Sequence, residues 1–182
     1  MTRFARLLLV SAALPLALPA STVFWTLSTV SFDDGGSASG SFGYDADTNT
    51  YSAINITTTA GSQLGGATYT FLCDGLADCT GQTPSASSVL FLANDPSGNL
   101  TDTFALFLSF TSALTDLGGG PNGLSGGEFF CVDTACSGPD TGQNSRNVNG
   151  GVVNGQAPVP EPSSMLLLAT GAALFGLRRR KA

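Results

Sequence analysis

Short runs in which apolar and polar residues alternate recur along the chain, and Gly, Asp and Asn residues separate them. The run VFWTLSTVSF at 23–32 places Trp25 and Leu27 on one face, and the turn sequence DDGG follows at 33–36. Alternation with period two predicts a strand with one buried face, and an Asp-Gly pair supplies the positive φ that a tight hairpin turn requires. The pattern therefore predicts strands joined by tight turns.

Further runs of this kind predict about eight short strands in all. The run TDTFALFLSF at 101–110 is apolar on both faces, which favours a central strand covered on both sides. Because no convincing helix precedes residue 160, we predict an all-β fold, an antiparallel β-sandwich of two packed sheets. The Gly-rich segment 116–127 is predicted to be a flexible surface loop. We assign the sandwich to 21–147 and a linker to 148–158, a segment that also fits a last short strand.

The N-terminal residues 1–20 have the composition of a secretory signal peptide. Arg3 and Arg6 precede an apolar run at 7–20 that ends in Ala20. A basic start, a short apolar run and a small final residue are typical of such signals, so we expect signal peptidase to cleave after Ala20. A short membrane anchor is the alternative, but the run is too short to span a bilayer comfortably.

Charge is distributed very unevenly between the ends and the middle of the chain. All thirteen acidic residues lie between Asp33 and Glu161, and the segment 21–162 contains one base, Arg146, which gives it a net charge of −12 against −6 for the whole chain. Such a surface repels phosphate, so we expect no nucleic-acid partner. The chain has no histidine, which excludes Ser-His-Asp and Cys-His mechanisms. We therefore predict that the protein is not an enzyme.

Four cysteines lie in the segment that we expect to be exported. An even number of cysteines in a secreted chain favours disulfides. A zinc site of four cysteines is the alternative, but the two pairs have five and four intervening residues, whereas such sites use tighter pairs. Of the three pairings that four cysteines allow, we favour the two local ones, Cys73–Cys79 and Cys131–Cys136, and the others stay open.

Several acidic residues lie in predicted turns, where they invite comparison with a calcium site. The run DADTN at 45–49 spaces oxygen ligands two apart, but Thr50 and Ile56 stand where an EF-hand loop requires Gly and Glu. A looser calcium site is a weaker hypothesis, and ordinary turn chemistry is the alternative that we favour. We predict no cofactor other than this calcium. Its candidate ligands are Asp33, Asp34, Asp45 and Asp47.

Two further kinds of site depend on carboxylates and aromatic rings. Paired carboxylates could serve glycoside hydrolysis, but Glu128 is the one Glu in the interior of the chain and has no identifiable partner in the sequence. Aromatic rings could stack on sugars, although core packing is the commoner role of such residues. The aromatic candidates are Trp25, Tyr44, Tyr51 and Tyr69.

The C-terminal 24 residues form a segment of three parts. VPEP at 159–162 cannot continue a strand or sit inside a helix, so we expect it to be extended and exposed. The uncharged run 163–177 would make a helix of about 22 Å, slightly short of the roughly 30 Å hydrocarbon core. We predict a short transmembrane helix here, because a buried C-terminal helix does not explain the cations that follow it. These cations form a basic membrane stop: Arg178, Arg179, Arg180 and Lys181.

This order of motif, apolar helix and basic stop resembles the tail of the PEP-CTERM proteins of exopolysaccharide-producing Gram-negative bacteria. The resemblance implies processing by an exosortase, a membrane cysteine transpeptidase-like protein, with Pro160, Glu161 and Pro162 as the recognised residues. The stretch VSFDDGGSASGSFGYDADTNTYSAINITTTAG at 30–61 also resembles a domain that recurs in front of such tails, and it implies no activity.

The resemblance and the composition together lead to one function hypothesis and two alternatives. We expect an exported, non-catalytic protein, held briefly at the inner membrane and then sorted to the cell surface, outer membrane or extracellular matrix, where it associates with exopolysaccharide in a biofilm. Divalent cations could bridge its acidic surface to an acidic polymer. The alternatives are a carbohydrate-binding module with a defined sugar site and, more weakly, a secreted hydrolase that uses Asp and Glu residues.

Overall fold

The computed structural model describes residues 22–75, 77–79, 82–93, 97–134, 136 and 145–156. The predicted signal peptide with its cleavage site at Ala20, and the whole C-terminal tail from residue 159, lie outside the described residues. Within the part that is described, no helix is long and apolar enough to cross a membrane. The predicted transmembrane helix at 163–177 falls outside that part.

The described residues form eight antiparallel strands and one short 3-10 helix at Ala77–Cys79, which confirms the all-β prediction. Each strand pairs with the next along the chain, and the last strand pairs with the first. The strands are β1 (Val23–Phe32), β2 (Ser37–Asp45), β3 (Thr50–Thr58), β4 (Thr68–Leu72), β5 (Ser88–Ala93), β6 (Thr103–Phe110), β7 (Gly119–Cys131) and β8 (Ser145–Gln156).

The predicted β-sandwich is wrong, because the sheet closes into a single barrel. Strand β8 closes it by pairing with β7 on one side and with β1 on the other, from Phe24 opposite Gln156 to Phe32 opposite Val148. The segment that we assigned to a linker, 148–158, contributes to this strand as far as Gln156. Full closure leaves no unpaired strand edge, which a sandwich would have to protect.

Strand β7 occupies much of the Gly-rich segment that we predicted to be a surface loop. Its residues 119–127 pair with β6 and β8. Gly126 shows why the sequence signal is weak there: its φ is +131°, and an added Cβ would lie 2.1 Å from the carbonyl oxygen of Phe107. Only glycine allows the two strands to approach so closely, so the apolar alternation that marks the other strands is lost.

Alternating side chains of the strands fill the barrel. Trp25 and Leu27 point into it, as predicted, and Phe42 packs there against the rings of Tyr51, Phe91 and Phe110 with centroids 5.4–6.0 Å apart. Tilted aromatic contacts at this distance stabilise a core beyond the area that they bury. The barrel interior is therefore a packed core.

A second apolar cluster, which we call the outer cluster, covers the outside of β4–β7. Ala105 and Leu92 belong to it, because they point away from the barrel interior. This explains why β6 is apolar on both faces. Both disulfides that we favour form in the structure, Cys73–Cys79 and Cys131–Cys136, and their sulfurs belong to this cluster. They tie the loops after β4 and β7 against the barrel wall.

Candidate functional site

The one base of the predicted exported segment, Arg146, is buried inside the barrel. It lies on β8 directly opposite Glu128 on β7. Its Nε and Nη2 atoms donate to Oε2 of Glu128 at 2.8 and 2.6 Å, and the side chains of both residues are fully buried. Two charge-assisted hydrogen bonds fix the orientation of both side chains, and the pairing of opposite charges compensates for the loss of hydration on burial.

A second carboxylate reaches the same arginine from the turn between β1 and β2. Nη1 of Arg146 lies 3.2 Å from Oδ2 of Asp34, whose side chain is also fully buried. Oδ1 of Asp34 accepts from the backbone N–H of Gly36 at 2.9 Å, and Oδ2 accepts from that of Leu64 at 3.3 Å. The guanidinium carbon of Arg146 lies 4.2 Å from the ring centroid of Phe32. The turn is thereby attached to the barrel interior.

Two hydroxyl groups complete this ion network by bonding the remaining oxygen of Glu128. The Tyr69 hydroxyl and the Thr58 hydroxyl donate to Oε1 of Glu128 at 2.5 and 2.9 Å. Burial raises the pKa of Tyr69, and the negative charge of Glu128 raises it further, so the phenol stays protonated and donates. We define the ion network as Arg146, Glu128, Asp34, Tyr69 and Thr58.

Glycines leave room for the network on two sides. A Cβ at Gly36 would lie 2.1 Å from Nη1 of Arg146, and a Cβ at Gly61 would lie 2.2 Å from the Asp34 carboxylate. Any larger residue at either position would displace the ion pair. The sequence shows these glycines only as turn residues, so their packing role could not be inferred from it.

The network corrects our interpretation of Glu128, which we had described as lacking a partner. It bonds three side chains from three strands, and it has no solvent-exposed surface. A general acid or base must reach its substrate. Glu128 and Asp34 are therefore arranged to hold the barrel together, since both are bound to the same buried arginine.

The pKa of Asp34 leads to a prediction about acid stability. Burial raises this pKa, but the amide hydrogen bonds and the charge of Arg146 lower it by more, so it lies below its usual value of 3.8. A carboxyl with a lowered pKa stabilises the fold above its unfolded pKa of about 3.9 and loses that contribution as the pH falls through the folded value. Asp34→Asn should therefore have a lower free energy of unfolding than wild type at neutral pH, and this gap in free energy should shrink below about pH 4. Urea unfolding at about pH 7 and about pH 3 measures the free energy of both proteins; a gap of the same size at both pH values would contradict the prediction.

The four calcium candidates do not come together. Asp33 and Asp34 lie in the turn before β2, whereas Asp45 and Asp47 lie at its far end, roughly 25 Å away by strand geometry. Asp33 accepts from both nitrogens of Asn147, and Asp45 accepts from the N–H of Thr48. Among the described residues, no three acidic or cysteine side chains are grouped so that they could hold a metal ion. The turn chemistry that we favour is what the structure shows for Asp34 and Asp45, whose carboxylates accept from backbone N–H groups two and three residues further on.

The aromatic candidates for sugar stacking are core residues. Trp25, Tyr44, Tyr51 and Tyr69 are at most 6% exposed. Tyr44 donates to the side chain of Asn49, and Tyr51 donates to the carbonyl of Ser85. None of the four rings presents a face on which a sugar could stack. Any sugar site must therefore use other contacts.

The outside of the barrel contains a feature that sequence reasoning missed. Cross-strand pairing places Asn154, Thr26, Ser41 and Asn55 in one row across β8, β1, β2 and β3. We call the outer face of these four strands the hydroxyl-amide wall. A signal for it exists in the sequence, because Ser, Thr and Asn occupy most of the positions that alternate with the core residues.

Charge is almost absent from this wall. Two charged residues lie in its four strands: Arg146, which points inward, and Asp45, the last residue of β2. A second row of the wall continues the pattern, with Ser39 on β2 opposite Thr57 on β3. Thr68 on the neighbouring strand β4 lies opposite Thr57 and extends this row beyond the wall. Acidic residues of the described part lie instead mostly in the connections between strands. The net negative charge is therefore concentrated at the turns and the wall is neutral.

Comparison with known proteins identifies the C-terminal tail rather than the barrel. No curated protein and no solved structure matches the chain. Residues 158–181 match the family model described as the PEP-CTERM protein-sorting motif, which includes Pro160, Glu161, Pro162 and the basic stop. This motif implies export, processing by exosortase and targeting to the cell surface. The chain thus carries a PEP-CTERM sorting motif.

Proposed function

We propose that the protein is a non-catalytic component of the cell surface or extracellular matrix that associates with exopolysaccharide. The sorting motif accounts for its delivery. The observation that supports the association is the hydroxyl-amide wall, because uncharged hydroxyl and amide groups exchange hydrogen bonds with a polyol without the desolvation cost of a charge. The barrel presents this wall with its backbone already ordered.

The protein could associate with a polysaccharide in two ways, directly through the wall or through cations bound to its acidic residues, and the positions of the acidic residues bear on which is favoured. A neutral polymer can approach the wall without meeting a fixed charge, whereas an acidic polymer would be repelled by carboxylates at the turns unless divalent cations screened or bridged them. Since those carboxylates do not form one site, bridging would be diffuse and would depend on ionic strength. The wall mode is the one that we favour, and a chelator distinguishes the two.

Truncation of the wall side chains tests this function. Full-length protein with three alanine substitutions in the wall should bind the host exopolysaccharide at least about tenfold more weakly than wild type, because each lost hydrogen bond contributes about 0.5–1.5 kcal/mol. Isothermal titration calorimetry with and without chelator measures the affinity. The wall variant is Thr26→Ala, Asn55→Ala and Asn154→Ala.

A matched control carries the same number of alanine substitutions at exposed positions elsewhere on the barrel. It should bind like wild type, and chelator should leave the binding unchanged. Equal weakening of both variants, or binding that chelator abolishes, would contradict the wall as the binding surface; no binding by wild type would contradict the proposed function. The control variant is Ser62→Ala, Thr101→Ala and Ser125→Ala.

A further inference from the structure

A cleft of about 260 Å³ lies beside Trp25, where the connection from β6 to β7 crosses the barrel. Gly118, Gly119 and Gly120 form part of its lining, and Ser112 and Asn122 contribute polar groups. The Asn122 side chain accepts from the N–H of Ser112 at 2.9 Å and donates to its carbonyl at 2.6 Å, which fixes the two sides of the cleft relative to each other. We call it the Trp25 cleft.

The indole of Trp25 contains a donor that has no acceptor within the part of the chain that the structure describes. Trp25 is 2% exposed, and its Nε1 atom has no hydrogen-bond partner among the described residues. Its ring packs against Gly155 so closely that a Cβ there would lie 2.8 Å from Cζ2. Buried indole N–H groups usually find a partner, and Trp25 is one of the residues that line the cleft, so we take this donor as the candidate contact for a ligand oxygen.

The lining determines the class of ligand. It contains hydroxyl, amide and backbone groups together with Ala113 and Pro121, and none of its residues is charged. Clefts for drug-sized ligands measure about 300–1,000 Å³, so this one suits a single ring. An anion would be disfavoured by the net negative charge of the protein. A neutral sugar has the required size, acceptor oxygens and C–H surface for Ala113 and Pro121.

We propose that the Trp25 cleft is a subsite that holds one neutral sugar unit, with a sugar oxygen accepting a hydrogen bond from Nε1 of Trp25. The subsite deepens the proposed function and rests on it, since it would hold one unit or the end of a glycan that the wall binds along its length. It also supplies a defined sugar site that requires no exposed aromatic ring.

Tryptophan fluorescence tests the subsite directly, because Trp25 is the only tryptophan of the chain. Full-length protein should show a saturable fluorescence change with at least one of the methyl glycosides of glucose, galactose, mannose and N-acetylglucosamine. Ala113→Leu, which fills the cleft from an exposed position, should abolish the change. Ala60→Leu, an equal enlargement of an exposed alanine in the loop between β3 and β4, should leave it intact.

Calorimetry of Trp25→Phe adds a second readout, since this variant keeps a ring but removes the donor. Its affinity for the same glycoside should fall about tenfold or more. No saturable response to any of the glycosides, or equal binding by wild type and Ala113→Leu, would overturn the subsite. These outcomes distinguish a failure of the subsite from a failure of the proposed function. Polymer binding that depends on the wall but is unchanged in Ala113→Leu would contradict the subsite alone. Glycoside binding without polymer binding would contradict the wall alone.

Discussion

Arg146→Met should lower the free energy of unfolding by about 3–5 kcal/mol, which is the largest single stability effect that we expect in this barrel. The substitution keeps much of the side-chain length but removes the charge that Glu128 and Asp34 share. Two carboxylates would then be buried without a cation, and they would have to be protonated or drawn to the surface. Because small domains are stable by about 5–15 kcal/mol, urea unfolding should still resolve a folded variant.

A triple variant identifies the cause of the loss. Adding Glu128→Gln and Asp34→Asn to Arg146→Met should restore part of the stability, since it removes the uncompensated charges while keeping side chains of similar shape. Glu128→Gln alone should destabilise the protein, because it leaves the arginine with one charged partner. A loss of less than about 1 kcal/mol in Arg146→Met would show that the network does not stabilise the barrel.

Glu161→Ala should abolish the processing of the tail and the appearance of the protein at the cell surface. Residues 158–181 match the sorting motif, and Glu161 is the one charged residue that exosortase would meet between the two prolines. The variant should accumulate in the inner-membrane fraction with its tail retained. Cell fractionation and immunoblotting in the host measure both the location and the size of the protein.

The control for this variant lies in the same tail but outside the recognised triad. Ser164→Ala should be processed and sorted like wild type, because it changes neither the triad nor the basic stop. Deletion of the host exosortase should reproduce the Glu161→Ala result with the wild-type chain. Normal surface delivery of Glu161→Ala would show that the triad is not the recognised element.

The parts of the fold that the sequence predicts are those with local signals. Strand β1, its turn and the opposing strand β2 show clear alternation and an Asp-Gly pair, and the two disulfides close within short loops. Closure of the barrel is different in kind. It depends on β7 and β8, and two of their inward positions are glycines, Gly126 and Gly155. The Phe107 backbone lies against Gly126 and the Trp25 ring lies against Gly155, so no apolar side chain marks these positions in the sequence.

The ion network could not be predicted because it depends on register. Glu128 and Arg146 are 18 residues apart, and only the pairing of β7 with β8 places them opposite each other. Asp34 contacts Arg146 from the turn between β1 and β2, although the two residues are 112 positions apart in the sequence. The sequence shows a single base, Arg146, among many acids, but nothing in it indicates which carboxylates the base contacts. The Trp25 cleft could not be predicted for the same reason, since its lining comes from β1, the connection between β6 and β7, and the first residues of β7.

Intact-mass spectrometry of the protein recovered from the host cell surface tests most directly that the chain is exported, processed and delivered by its sorting motif. We predict a mass that lacks residues 1–20 at the N-terminus and the basic stop at the C-terminus, with both disulfides formed. Surface protein that still carries residues 178–181, or protein found only inside the cell with residues 1–20 attached, would contradict this account.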